Sequence, residues 1–334
     1  MTIVSEVIDG FPEERPLLEI ERDETRMYQT PEPWMLRFVT REAAPVAIYK
    51  VPHVYEPMQY APPRGVFEGS IMRLEWQNMN GRQPFYHRNA DVDEITYQIC
   101  GERTQMTEFG TIEFTRGQFS CIPAGVGHDN YGREDIHLIF YVRGPTTLCL
   151  PPLMEGELRI PPFPGWKQAP MLELSTRGMG ALGCDVAYSM IDEPLLLKAA
   201  ERSEARMQLA QALGRLGETE WVYKSAQVWI GHTSLERTTA RSYRRHMCAD
   251  EIQYQISGER TLVTQRGVVT LHPGEFVSIP LGCAFASTTT GASKHLSILT
   301  PETVPPVRPP DGLADMDVGA FLRATSRAEG EAVL

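Results

Sequence analysis

His87 and Asn89 stand two residues apart, a spacing that turns both side chains to one face of a β-strand. Glu94 follows, and seven positions beyond it stands Gly101, with six residues between them. Farther on, Gly117, Pro123, Gly125 and His128 occur in the order G-x5-P-x-G-x2-H. Two imidazoles and one carboxylate are what a divalent iron site with open coordination positions needs. Imidazole suits iron, copper or zinc, and the carboxylate offsets part of the metal charge. A lone histidine is more often structural or superficial than a ligand, but these two lie in two separately spaced motifs. One spacing is awkward. Glu94 is seven residues from His87, and on a continuous strand that odd number sends the two side chains to opposite faces. Either the segment 90–93 turns or bulges and resets the face, or Asp93 is the acid. Asn89 reads as a hydrogen bonder behind the ligands or as a weak carbonyl-oxygen ligand.

The elements that position these residues repeat within the chain. Residues 85–131 align without a gap on 242–288, and the shared block is DEIxYQIxGERT. The alignment has 19 identities in 47 positions, where chance gives about three, and a period of this length makes each copy a domain. ITYQI and IQYQI are β-branched and aromatic runs that point to strands, with turns expected at Gly101 and Gly258. TQMTEFGTIEF and TLVTQRGVVTL read as hairpins turning near Phe109-Gly110 and Arg266-Gly267. FSCIP, FVSIP, HLIFYV and HLSILT add strands, and VFEGSIMRLEW and WVYKSAQVWIG open each copy. Many short strands with regular glycine turns predict an all-β protein of two barrels in tandem.

The second copy lacks the chemistry. His87 becomes Arg244, Asn89 becomes His246, Glu94 stays as Glu251, and His128 becomes Phe285. Arginine stays protonated and phenylalanine has no lone pair, so no metal is expected there. Its expected roles are to cover the first barrel, support a subunit contact or help shape the pocket. The expected organisation is an arm over 1–60, a metal-binding barrel over 61–150, a proline-rich and helical connector over 151–217, a degenerate barrel over 218–305 and a tail over 306–334. Within the connector, residues 193–216 show helical apolar spacing, and the tail predicts one short helix.

Of the other polar residues, Thr96 and Gln98 share the parity of Glu94 and are candidates for lining the pocket. Gln98 recurs as Gln255, which argues equally for a structural role. Tyr97 and Tyr254 recur as core residues. Tyr86, Arg88, Asp129 and Tyr131 flank the ligands, where orienting a substrate and simple surface placement are equally open. His137 and His295 look structural, and Cys100, Cys121 and Cys248 read as small apolar fillers.

The whole chain has 334 residues, with 32 basic against 43 acidic side chains and a formal net charge of −11. An acidic chain without a basic block argues against nucleic acid and anionic membranes. No apolar run is long enough to span a bilayer. The N-terminus lacks the basic-then-apolar order of a signal peptide. Six scattered cysteines without a CxxC predict reduced thiols and a cytoplasmic location.

The two motifs resemble those of the cupin superfamily. Gly81, His87, Asn89, Glu94 and Gly101 follow its first motif, G-x5-HxH-x3–4-E-x6-G, with Asn89 in place of the second histidine. Residues 117–128 match its second motif at every fixed position. The likeness covers roughly 61–145 and 218–300 and implies a double-stranded β-helix, or jelly-roll, in each copy. Asn89 departs from the three-histidine, one-glutamate set of oxalate-degrading cupins. The string His87-Arg88-Asn89 and the Thr107–Gly110 phrase TEFG look like the homogentisate 1,2-dioxygenase and hydroquinone dioxygenase group. There one barrel is typically active and the other degenerate. The homogentisate-like spacing favours Asp93 as the acid, while the E-x6-G interval favours Glu94, and Glu94 is the preferred reading.

This resemblance implies Fe(II) held by His87, Glu94 and His128, a small dihydroxylated aromatic substrate of the homogentisate, hydroquinone or gentisate kind, and dioxygen. A homodimer is the family-like expectation. The alternatives are another metal-dependent cupin enzyme, such as a decarboxylase, lyase or isomerase, and a non-catalytic binding cupin.

Overall fold

The computed structural model describes residues 2–13, 15–29, 44–57, 62–180, 185–238, 241–319 and 321–322. Within them nearly all of the regular secondary structure is strand, arranged as the expected pair of β-barrels. The first barrel contains the hairpin Arg64–Glu68 and Met72–Arg82, then Phe85–Asn89, Asp93–Thr107, Gly110–Phe114, Gln118–Ile122 and His128–Val142. The second runs through Thr219–Lys224, Trp229–Leu235, Tyr243–His246, Asp250–Ser257, Arg260–Thr264, Gly267–Leu271, Glu275–Ile279, Phe285–Thr288 and Ser293–Thr300. No described helix is long and apolar enough to cross a membrane.

The barrels share a core. Phe67 packs edge-on against Tyr49 and Phe276 at ring-centroid distances of 5.3 and 5.8 Å, and Tyr254 lies 4.6 Å from Phe276. Tyr97 and Tyr254 are buried in this cluster, as their recurrence predicts. Burying large aromatic side chains stabilises by about 1.5–3 kcal/mol each, so the two barrels are held face to face by the same effect that fills each one.

Each barrel is completed by strands from outside its own copy. The strand Ile3–Asp9 pairs parallel with Tyr243–His246, with Glu6 opposite Tyr243. The strand Pro170–Thr176 pairs parallel with Phe85–Asn89, with Glu173 opposite Tyr86. Each added strand returns as a hairpin, through Pro16–Asp23 and Asp185–Asp192, and each hairpin runs into a helix. Those helices are Glu24–Met27, capped by Asp23, and Glu193–Lys198, capped by Asp192. The supporting contacts repeat as well. Arg245 pairs with Glu6 as Arg88 pairs with Glu173. Tyr243 donates to Glu24 at 2.9 Å as Tyr86 donates to Glu193 at 2.7 Å. The N-terminal segment, read from the sequence as an arm over the barrels, therefore supplies an integral sheet strand to the second barrel. The segment after the first barrel does the same for the first.

Several local expectations are corrected. The helix expected over 193–216 covers only Glu193–Lys198, with a single 3-10 turn at Ala199–Glu201. Downstream, Gln208–Gln211 is a strand on Gln118–Ile122, and Met207, Leu209 and Ala210 are buried there. The open sheet edge and core outweigh local helix propensity at this point. Gly101 is not a turn but a kink inside the continuous strand Asp93–Thr107, with φ of 69°. A Cβ there would lie 2.0 Å from the Glu134 carbonyl oxygen, so only glycine fits. The opening segments of both copies are hairpins rather than single strands.

Cys100 and Cys121 are half-buried fillers, whereas Cys248 is exposed, and all three are free thiols. Of the tail, residues 318–319 and 321–322 are helical, and residues 323–334 lie outside the described residues.

Candidate metal centre

Strand order brings the three predicted ligands together. His128 opens its strand directly opposite His87, and the two rings sit 5.3 Å apart. Glu94 comes from the neighbouring strand Asp93–Thr107. Residues 90–92 leave the strand conformation between Asn89 and Asp93. That break resets the face and removes the parity conflict between His87 and Glu94. One nitrogen from each histidine and a Glu94 oxygen all lie within 4.8 Å of one another, and all three residues are buried.

The other atoms of these side chains are fixed by neighbours. His128 Nε2 is 3.3 Å from Glu94 Oε2, while its Nδ1 lies 3.3 Å from the Val126 carbonyl oxygen. His87 Nδ1 is 3.9 Å from Glu94 Oε2, and its Nε2 sits 2.7 Å from Thr176 Oγ1. Each ring thus has one nitrogen occupied by an outer oxygen and the other turned to the shared centre, the arrangement by which outer partners orient metal-binding histidines. The Asn89 amide donates to Glu94 Oε2 at 2.9 Å, which places Asn89 behind the carboxylate as a hydrogen bonder.

Electrostatics agree with this donor set. Burial pushes the His87 ring down to about 4, and the His128 ring adds to the effect, so His87 is neutral at neutral pH. Burial pushes the Glu94 carboxyl up, but the His128 ring, then His87 and the Asn89 amide, bring it down to about 2. Two imidazoles, one of them held neutral, and an ionised carboxylate converge in a buried pocket. That chemistry fits a divalent transition metal.

Asp93, the alternative acid, is committed elsewhere. Its Oδ1 accepts from the Ala124 amide at 2.8 Å, and its Oδ2 accepts from the Thr146 amide and hydroxyl, both at 2.7 Å. It clamps two loops, of which Asp250 holds the counterpart of one in the second barrel, accepting from the Leu281 amide at 2.7 Å.

The histidines and Glu94 form one wall of a cavity of about 220 Å³. Its other lining residues are not singled out by the sequence motifs, among them Arg73, Glu75, Gln77 and Tyr141. The first three alternate with Leu74 and Trp76, a period-2 pattern that could have revealed a polar inner face. Glu75 is buried and paired with Arg73. Burial raises its carboxyl to about 7, with Arg73 opposing the rise and Glu94 adding to it. Thr176 carried no local signal, because it approaches His87 only through the parallel pairing of a strand far downstream.

The flanking candidates do not line this cavity. Tyr86 is buried on Glu193, and Arg88 bridges Glu108 and Glu173. Asp129 is buried on Arg82 at 2.7 Å, and Tyr131 stacks on Phe163 at 4.3 Å. Gln98 ties Cys100 O and Asp135 together and is structural, as Gln255 is on Ser257 and Ser293. Thr96 is buried too and lines no part of the cavity.

In the second barrel Arg244 stands opposite Phe285 in the register of His87 and His128. Glu251 is engaged by His246 Nε2 at 2.8 Å and the Gln253 amide at 2.9 Å.

No family model matches the sequence, and no curated protein sequence does either. Solved structures similar to this chain include a cupin 2 conserved barrel domain protein from Leptotrichia buccalis. It is 12% identical, with a TM-score of 0.45, over 73% of this chain and 92% of that one. A mutant oxalate decarboxylase from Bacillus subtilis is 11% identical, with a TM-score of 0.44, over 84% and 86%. A mutant salicylate 1,2-dioxygenase from Pseudoaminobacter salicylatoxidans is 12% identical, with a TM-score of 0.43, over 69% and 70%.

Proposed function

We propose that this chain is a non-haem, Fe(II)-dependent dioxygenase that opens the ring of a dihydroxylated aromatic compound. The observation that carries the reading is the buried convergence of His87, Glu94 and His128 on one wall of a cavity. These three side chains would hold the ion. Fe(II), when bound, supplies the redox link between an electron-rich ring and dioxygen.

The protein supplies position and proton handling. Thr176 and the Val126 carbonyl fix the two rings, and Asn89 fixes Glu94. A cavity of about 150 Å³ is enough for benzene, so 220 Å³ admits a single substituted ring. Phe85, Ile139, Pro62 and Pro63 offer that ring apolar contacts, and Gln83 and Asn130 offer hydrogen bonds. Glu75 is the group in this reading that takes a phenolic proton. Its Oε1 is held by Arg73, and its raised carboxyl range matches a base that works near neutral pH.

The test is metal analysis of the purified protein combined with oxygen uptake on gentisate, homogentisate, hydroquinone and catechol. Iron retained at about one per chain, oxygen consumption and a new absorbance from an opened ring support the proposal. Turnover that proceeds without oxygen, or full metal retention in His128→Ala, would sink it.

A further inference from the structure

The second barrel keeps a cavity of about 280 Å³ where the first has its metal pocket. A site that had merely decayed would close with apolar side chains. The paired registers show otherwise. Tyr141 lies opposite Glu94 in the first barrel and Leu299 opposite Glu251 in the second, so Ile139 and Ser297 occupy matching positions two residues earlier. By the same ladder Thr96 corresponds to Gln253. The gapless alignment places Ser242 at Phe85 and Ser287 at Asn130. The apolar positions Phe85 and Ile139 of the first pocket have become hydroxyls in the second.

These groups form a connected wall. Thr219 Oγ1 and Thr233 Oγ1 are 2.8 Å apart, and Thr233 Oγ1 lies 3.5 Å from Ser297 Oγ. Gln253 donates its amide to Glu251, which fixes the amide orientation and leaves its buried Oε1 with no partner among the described residues. His295 also lines the cavity, and its buried Nδ1 is a second atom without a partner among the described residues. Burial, with Arg260 and His232, holds the His295 ring well below its usual range, so it carries no charge. An unpartnered buried amide oxygen is costly and calls for a hydrogen-bond donor, and the neutral His295 ring calls for a donor or an acceptor according to its tautomer. Arg244 also lines the cavity, its Nε on Asp9 Oδ2 at 3.1 Å and its side chain 41% exposed. A guanidinium presents a planar fork suited to a carboxylate. Phe285, Leu235 and Val7 add apolar surface.

We propose that the second barrel is a metal-independent binding site for a small hydroxylated carboxylate, with the acid on Arg244 and hydroxyls on Gln253 and the Thr233–Ser297 wall. The site stands apart from the dioxygenase reading, since none of these residues lines the metal pocket. Calorimetric titration of the chelator-treated, full-length protein with gentisate and with tartrate tests it. One aromatic and one aliphatic probe separate ring recognition from hydroxy-acid recognition. At least one probe is expected to bind near one per chain, with Glu94→Gln binding it equally. Arg244→Gln is expected to weaken binding by about tenfold or more, Arg244→Lys to weaken it less, and Gln253→Leu to weaken it while leaving benzoate, which has no hydroxyl, unaffected. Circular dichroism melts confirm that each variant is folded. Failure of both probes to bind, or undiminished binding in folded Arg244→Gln, overturns the proposal.

Discussion

Thr176→Val tests how the first barrel holds its histidine. Thr176 Oγ1 sits 2.7 Å from His87 Nε2, and both residues are buried. Valine keeps the shape and removes only the oxygen, so His87 Nε2 loses its partner without a cavity being created. An unsatisfied buried polar group costs about 1–3 kcal/mol. Loss of an outer hydrogen bond to a metal-binding histidine typically weakens metal affinity by about 10–100-fold. Each factor of ten is about 1.4 kcal/mol, and it appears again as lost stabilisation when the ion is in excess. The assay is Fe(II) or Zn(II) affinity by chelator competition, paired with thermal melts with and without metal. The expected result is weaker binding by one to two orders of magnitude and a smaller metal-induced rise in Tm. Wild-type affinity in a folded Thr176→Val protein would refute the reasoning, because the hydrogen bond would then play no part in orienting the His87 ring.

Three further outcomes rest on the same geometry. Glu94→Gln is expected to abolish metal retention, whereas Asp93→Asn should keep metal and lose about 2–3 kcal/mol of stability through its loop contacts; metal content and urea titration of the two variants check this, and the reverse pattern would make Asp93 the acid. Gly101→Ala should cost at least about 2 kcal/mol, since a Cβ meets the Glu134 carbonyl and φ is positive; a loss below about 0.5 kcal/mol in chemical denaturation contradicts it. In the second barrel, burial raises the Glu251 carboxyl but His246 outweighs it, bringing it down to about 2 from 4.5. A lowered folded-state value means the stability is present above pH 4.5 and is lost as pH falls towards 2. Glu251→Gln should therefore flatten acid unfolding of the metal-free protein across that window, and an unchanged profile would count against the pair.

The legible part of the site was the part encoded locally. Motif spacing located His87 and His128 and narrowed the acid to Glu94 or Asp93, and the residue types alone implied the donor chemistry. Gly101 could be recognised as a special position but not as a kink rather than a turn, because its neighbour Glu134 is distant in sequence. Arg73 and Glu75 were visible only as an alternation, since their inward direction depends on which face of the opening hairpin packs against the rest of the fold. The failed helix at 193–216 has the same cause: the free edge of Gln118–Ile122 selects a strand from a segment that is helical by local preference.

The sequence alone determined the duplication, the all-β class and which copy retains a metal donor set, because each rests on short-range residue identity. Only the tertiary structure decided that Glu94 rather than Asp93 faces the histidines. It also decided that Thr176 holds His87, and that each barrel is finished by a hairpin from beyond its own copy. Those facts depend on strand pairing between residues tens to hundreds of positions apart. Such pairing is selected by burial and backbone hydrogen bonding of the whole sheet, and no single stretch of chain carries it.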